Sequence, residues 1–264
     1  MKENSETIQH LWYEGLRESY ESAIPTTSLA ETAGELSIDE AYHVQELLIA
    51  DRIERGERII GWKIGATSRS VMEQLGISEP ILGCMTTGSE YSPLREVKAS
   101  SFCKLAVEAE IAIVIGRDIE GPGVTTADVL RATEGVLGAV ELVDCRIKDW
   151  QMTREEAIAD NALHGGIILG SVMRSPKDMD LSMEGVALTK NGNLLASACG
   201  IEVLGNPLNV VVWLANKFAS RDKILKEGDI VSTGSLTKFF FLQPGDVIDV
   251  RFAHLGSIGF SLGK

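Results

Sequence analysis

In Val107-Glu108-Ala109-Glu110-Ile111-Ala112-Ile113-Val114, two carboxylates sit two residues apart at the start of an apolar run. A run of this kind reads as a β-strand, and the two-residue period of a strand turns both carboxylates to one face. Like charges beside buried apolar neighbours raise each other's pKa and carry a desolvation cost, for which a divalent cation is the commonest remedy. The plainer alternative is a strand edge facing solvent. A second apolar run, Val140-Glu141-Leu142-Val143-Asp144, brings Glu141 beside the first two if the strands pair. Three oxygen donors suit Mg2+ or Mn2+, which keep water or substrate oxygens in their other positions. Short Glu-x-Glu patterns are frequent and mostly structural, so spacing alone leaves both readings open.

The rest of the chain has enough apolar material to bury such a site. Its 264 residues are 44% hydrophobic and 24% charged, the balance of a globular protein of one large or two small domains. A net charge of -13, without a run of Lys or Arg, excludes a nucleic-acid partner. Cys84, Cys103, Cys145 and Cys199 show no CxxC spacing and read as buried or free thiols. The N-terminal stretch lacks a basic and apolar leader pattern, and no apolar run reaches membrane-spanning length. A cytoplasmic protein in a reducing compartment is expected.

Helical spacing of Ile8, Leu11, Trp12 and Leu16 predicts a helix from Ser5 to about Tyr20, stopped before Pro25. The capping box Ser37-Ile38-Asp39-Glu40 opens a second, continuing to Gly56. Two helices are thus expected before the first strand, around Ile59 to Gly65, and another helix from Ser68 to Leu75. Further strands are expected at Val107 to Gly116, Gly138 to Asp144, Ile167 to Leu169, Val186 to Lys190, Asn193 to Ala198, Ile230 to Thr233 and Asp246 to Phe252. Helices are expected at Thr126 to Thr133 and Pro207 to Phe218, and Asn191-Gly192 marks a hairpin turn. Strands do not alternate regularly with long helices, so the class is α+β with a sheet-rich C-terminal body.

Several other residues have chemistry to offer. Lys63, between glycines and apolar neighbours, is either a proton shuttle beside a metal site or a lysine snorkelling past a strand edge. Asp144 with Arg146, and Asp160-Asn161-Ala162, either orient the metal ligands from behind or cap helices. His164 has no second histidine nearby in sequence and stays unassigned. The Gly234-Ser235 turn is of a kind that can offer N–H groups and a hydroxyl to a substrate carboxylate, though most such turns do not. Marks of nucleotide-dependent and zinc-protease chemistry (GxGxxG, Walker A, HExxH) are absent from the sequence.

Taken in order, the segment Gly56 to Ser68, Glu108-Ala109-Glu110, Glu141-Leu142-Val143-Asp144-Cys145-Arg146, Ala159-Asp160-Asn161-Ala162, Leu204-Gly205-Asn206-Pro207, Trp213-Leu214-Ala215-Asn216, Gly234-Ser235-Leu236 and Pro244-Gly245-Asp246 resemble the 2-keto-4-pentenoate hydratase and 4-oxalocrotonate decarboxylase family over nearly the whole chain. The resemblance implies a fumarylacetoacetate-hydrolase-like fold, a mixed β-roll body with a smaller helical N-terminal part, divided at 1–60 and 61–264. It implies Glu108, Glu110 and Glu141 as ligands of Mg2+ or Mn2+, Lys63 as the active-site lysine, and Ser235 near the substrate, a 2-oxo or 2-hydroxy acid. It implies a lyase of meta-cleavage aromatic catabolism: a hydratase first, a decarboxylase second, with an acylpyruvate-type C–C hydrolase on the same fold as a further alternative. It also implies a homo-oligomer, pentamer or decamer, that associates with a pathway partner enzyme. One departure is Glu79-Pro80-Ile81: hydratases tend to carry aspartate where Ile81 stands, so an acid/base partner for Lys63 is missing, as in the decarboxylase branch. The segment Gly56 to Ser68 and Asp149-Trp150 resemble the hydratases more.

Overall fold

The computed structural model describes residues 2–68, 72 and 77–264. The helix expected over Ser68 to Leu75 lies, apart from Ser68 and Met72, outside the described residues. Three helices precede the first strand: α1 (Lys2–Ser22), α2 (Leu29–Ala33) and α3 (Ile38–Glu54). α1 buries Trp12 and Leu16 completely on the face that the spacing predicts. α3 begins at the expected capping box, with Glu40 N donating to Ser37 Oγ and Ser37 N to Glu40 Oε2 at 2.8 Å. The unexpected α2 is held from afar. The buried Glu156 carboxylate accepts from Leu29 N at 2.6 Å and Ala30 N at 3.2 Å, so five residues stay helical without an amphipathic pattern of their own.

The strands are β1 (Ile59–Gly65), β2 (Ile81–Thr86), β3 (Glu90–Tyr91), β4 (Glu96–Lys98), β5 (Ala106–Ile115), β6 (Thr133–Val143), β7 (His164–Leu169), β8 (Gly185–Lys190), β9 (Asn193–Cys199), β10 (Ile230–Ser235), β11 (Phe240–Phe241), β12 (Val247–Phe252) and β13 (Ser257–Gly263). Between them lie α4 (Thr126–Ala132), α5 (Arg154–Ala159) and α6 (Pro207–Ala219). An eight-stranded sheet runs β2-β1-β10-β5-β6-β7-β3, with β11 pairing β5, and a five-stranded sheet runs β4-β13-β12-β8-β9. Both are mixed: β1/β10, β3/β7 and β4/β13 are parallel and the other pairs antiparallel. The class is α+β, as the pattern of elements predicts.

Most strands with alternating apolar residues were legible, but β13, which buries Ile258, Phe260 and Leu262 in alternation, is not among those expected. β2 is buried at every residue and carries no alternation, and β6 starts five residues before the expected Gly138, directly at the end of α4. The Asn191-Gly192 turn has φ of 53° and 78°, both positive as a tight hairpin between β8 and β9 requires. In the large sheet, Val107, Ala109, Ile111, Ile113 and Ile115 of β5 face one core shared with Trp12, Leu16 and Leu48 of the N-terminal helices and with Val211, Leu214 and Phe218 of α6. The even-numbered residues of β5 point to the opposite face, and there the carboxylates lie.

A buried carboxylate cluster and its family

Register alone assembles the cluster. Glu108 stands directly opposite Glu141 across β5 and β6, Glu110 is opposite Ser235 of β10, and Lys63 of β1 is opposite Ser232 of β10. All therefore share the even face of β5. Oxygens of Glu108, Glu110 and Glu141 lie within 4.8 Å of one another. Glu110 and Glu141 are fully buried, Lys63 is nearly so, and Glu108 is half-buried.

Two β-bulges complete the cluster. In β10 the pairing shifts between Ser232 and Ser235, where Gly234 takes φ +97°. The extra residue sets Ser232 Oγ and Gly234 N on Glu110 Oε2, the latter at 3.1 Å. In β7 the pairing with β6 shifts so that Val143 meets His164 rather than Gly165. Strict alternation back from Ile167 would turn His164 away, and the bulge turns it onto the carboxylate face. His164 Nδ1 lies 3.0 Å from Glu141 Oε1, and Nε2 lies 3.0 Å from Ser89 Oγ. The Glu141 Oε2 atom faces Lys63 Nζ at 3.4 Å, and that ammonium donates to the carbonyl of Ala162.

Burial raises the pKa of Glu110 to about 8, helped by the charge of Glu141 and opposed by Ser232. Burial also holds Glu108 well above the usual carboxylate range, with Glu141 and Glu110 adding to it. Glu141 is raised by burial against the pull of Lys63. His164 is driven down by burial and then by Lys63, Arg52 and Arg146, so its ring is neutral near pH 7. Three carboxylates facing one ammonium are short of positive charge. Glu110 Oε1 and Glu141 Oε2 are buried without a hydrogen-bond partner. Orphaned oxygens on adjacent carboxylates, in an all-oxygen set of this span, fit a hard divalent cation.

Asp144, Arg146, Asp160 and Asn161 contact backbone and, in the case of Arg146 with the two aspartates, one another, rather than the three glutamates. Arg146 Nε donates to Asp160 Oδ1 at 2.5 Å, and its NH2 to the carbonyls of Asp160 and His164. Asn161 brackets Cys84 of β2, accepting from its N at 2.7 Å and donating to its O at 2.8 Å. Between these anchors Asn161, Ala162 and Leu163 take φ of 52°, 52° and 62°, and the Ala162 carbonyl reaches Lys63. Gly83 has no room for a side chain there, since a Cβ would stand 2.7 Å from Asn161 O. Ile81 lies opposite Gly65 on β1, where its Cγ1 and Lys63 Nζ would both be 3.2 Å from a Gly65 Cβ. Ser235 Oγ is engaged within its own turn, donating to Thr237 O and accepting from Thr237 N at 3.2 Å, while Gly234 N serves Glu110. The Gly234 N–H and the Ser235 hydroxyl of that turn thus have protein partners. Ser232 and Ser89 had no mark in the sequence.

Residues 63–262 match the model of the fumarylacetoacetate (FAA) hydrolase C-terminal family. The chain belongs to the fumarylacetoacetate hydrolase family. It is 35% identical over 245 residues, 93% of this chain and 91% of the relative, to a 2-keto-4-pentenoate hydratase of Paraburkholderia xenovorans (strain LB400). It is likewise 35% identical over 258 residues, 97% of this chain and 96% of the relative, to a 2-hydroxyhexa-2,4-dienoate hydratase of Comamonas testosteroni. Among solved structures, the 4-oxalocrotonate decarboxylase from Pseudomonas putida G7, complexed with magnesium and adipate, matches with a TM-score of 0.93 at 31% identity over 97% of each chain. The fold of that decarboxylase is therefore shared over 97% of this chain, helical N-terminal layer included.

Proposed function

We propose that this family member is a metal-dependent hydro-lyase acting on 2-hydroxydienoates such as 2-hydroxypenta-2,4-dienoate in meta-cleavage aromatic catabolism. The substrate is ketonised, and water adds across the remaining double bond to give a 4-hydroxy-2-oxo acid. The observation that carries the reading is the buried cluster of Glu108, Glu110 and Glu141 with its orphaned oxygens, in a chain whose relatives of near-equal length are named hydratases. These three side chains would hold Mg2+ or Mn2+, which when bound would supply Lewis acidity toward a 2-oxo acid. Lys63 Nζ, fixed by Ala162 O and 3.4 Å from Glu141 Oε2, carries the proton to and from the substrate carbon. Ser235 and Ile81 flank the substrate.

Ile81 favours a second reading, 4-oxalocrotonate decarboxylase. It puts a hydrocarbon beside Gly65, on the side where the Lys63 ammonium also lies and where a second acid/base group would help place water. The two readings are separated by assaying 2-hydroxypenta-2,4-dienoate and a 4-oxalocrotonate-type substrate with Mg2+ or Mn2+ and with EDTA. Hydration of the dienoate, lost in EDTA, is expected; CO2 release without hydration overturns the first reading. Glu108→Gln and Glu110→Gln keep side-chain shape and remove ligand charge, so each abolishes the metal-dependent rate while circular dichroism stays that of the parent. Unchanged rates would remove both from the site.

The reading extends to the whole molecule. Residues 1–60 form a helical part and 61–264 the catalytic body, in a cytoplasmic homo-oligomer, pentamer or decamer, whose mass sedimentation would read directly. Among the described residues no helix is long and apolar enough to cross a membrane.

A further inference from the structure

The two oxygens of the Glu141 carboxylate are held differently. Oε1 meets His164 Nδ1 at 3.0 Å, whereas Oε2 has no hydrogen bond and faces only the Lys63 ammonium, at 3.4 Å. The far nitrogen of the ring, Nε2, is 3.0 Å from Ser89 Oγ. Ser89 is itself fixed by Thr86, whose carbonyl accepts from Ser89 Oγ at 2.9 Å and whose N–H donates to it at 3.2 Å. Thr86, Ser89, His164 and Glu141 are all buried. A relay therefore runs from the backbone of β2 through a hydroxyl and an imidazole to one carboxylate oxygen.

The terminal torsion of a glutamate is broad, so an unanchored carboxylate samples many orientations. A ring nitrogen on Oε1 removes that freedom and decides which oxygen is presented to the cluster. The bulge in β7 gives the ring this position, and Gly165 permits the bulge: a Cβ there would stand 2.8 Å from Leu142 O. We propose that His164 is a positioning residue, which acts through Glu141 by holding Oε1 so that Oε2 is presented to a divalent cation shared with Glu108 and Glu110. The neutral ring donates from Nδ1 to Glu141; in that tautomer the single hydroxyl hydrogen of Ser89 turns from the Thr86 carbonyl to Nε2, and the Thr86 N–H keeps the hydroxyl oxygen in place. This rests on the metal reading above and adds to it a residue that touches neither cation nor substrate.

The amide nitrogen of asparagine stands close to where Nδ1 of a histidine lies, and that of glutamine close to Nε2. The two substitutions therefore separate the donor to Glu141 from the contact with Ser89 while altering packing similarly. The test is calorimetric titration of the purified protein with Mn2+ and with Mg2+, alongside melting of the cation-free forms. His164→Gln is expected to bind about 10- to 100-fold more weakly, the usual cost of losing a partner behind a metal ligand. His164→Asn is expected to bind within a few-fold of the parent. At saturating Mn2+ the turnover of His164→Gln climbs back toward the parent, whereas that of Glu110→Gln does not. Parental affinity in His164→Gln, or equal loss in both variants, overturns the proposal. Should His164→Gln fail to fold, Ser89→Ala decides: several-fold weaker binding supports the relay and parental affinity overturns it. A parent protein that binds neither cation refutes the metal reading itself. A parent that binds, with affinity indifferent to His164, refutes only the positioning role.

Discussion

Glu108, Glu110 and Glu141 were legible as a set because each interrupts an apolar run, and because a period of two lets side-chain direction be read without a structure. His164 was visible as a letter and invisible as a neighbour of Glu141. Counting back from Ile167 in steps of two assigns it to the wrong face, and only the shifted pairing at Val143 corrects this. Ser232 is concealed in the same way by the bulge at Gly234. Gly165→Ala tests that account at the level of a single methyl group. The new Cβ meets a backbone oxygen, which cannot swing aside as a side chain can, so the bulge must open. A loss of about 1–3 kcal/mol in urea unfolding is expected, with weaker Mn2+ binding. A variant as stable as the parent would show that the strand accommodates the methyl without moving His164.

Helix starts divide by how local their hydrogen bonds are. The start of α3 needs only Ser37 and Glu40, three residues apart, and the sequence displays both; α2 needs Glu156, and no window of sequence contains both ends of that contact. Glu40 is held to about 2 by Ser5 and Ser37, well under the ordinary 4.5. A carboxyl whose folded pKa is depressed contributes stability that is fully present above its unfolded pKa and is lost as pH falls through the folded one. The cap thus works above about pH 4.5 and fades toward pH 2. Ser37→Ala is expected to cost about 1 kcal/mol near pH 7 and progressively less below pH 4, as read from urea midpoints across that range. A cost independent of pH would mean that the serine acts without Glu40.

At the scale of the molecule, the helical N-terminal part and the sheet-rich body meet at Arg146. Its guanidinium lies over the ring of Tyr20 at 4.1 Å and donates to the Tyr20 hydroxyl at 2.8 Å, while the same group grips Asp160. Beside it, Thr26 N donates to Arg146 O and Lys148 N to Thr26 O, each at 2.8 Å, and Gln45 of α3 donates to Leu82 and Ile158 carbonyls. None of Tyr20, Thr26 or Gln45 falls within the residues matched by the family model. Arg146→Met would leave the buried Asp160 without its cation, and a cost of about 3–5 kcal/mol in chemical unfolding is expected; a loss under about 1 kcal/mol would show that the pair is solvated in the folded state. The sequence named both partners of this ion pair and could not place Tyr20, since nothing local joins a tyrosine in the first helix to an arginine that follows β6.

Arg146 also holds the carbonyl of His164. One cation therefore touches the first helix on one side and, on the other, the backbone of the residue that steadies Glu141. Sites joined in this way are linked thermodynamically, and linkage is reciprocal: what tightens one end must tighten the other. Filling the carboxylate cluster with Mn2+ or Mg2+ should slow amide hydrogen exchange along α1, and weakening α1 by Tyr20→Phe should lower cation affinity by the matching factor.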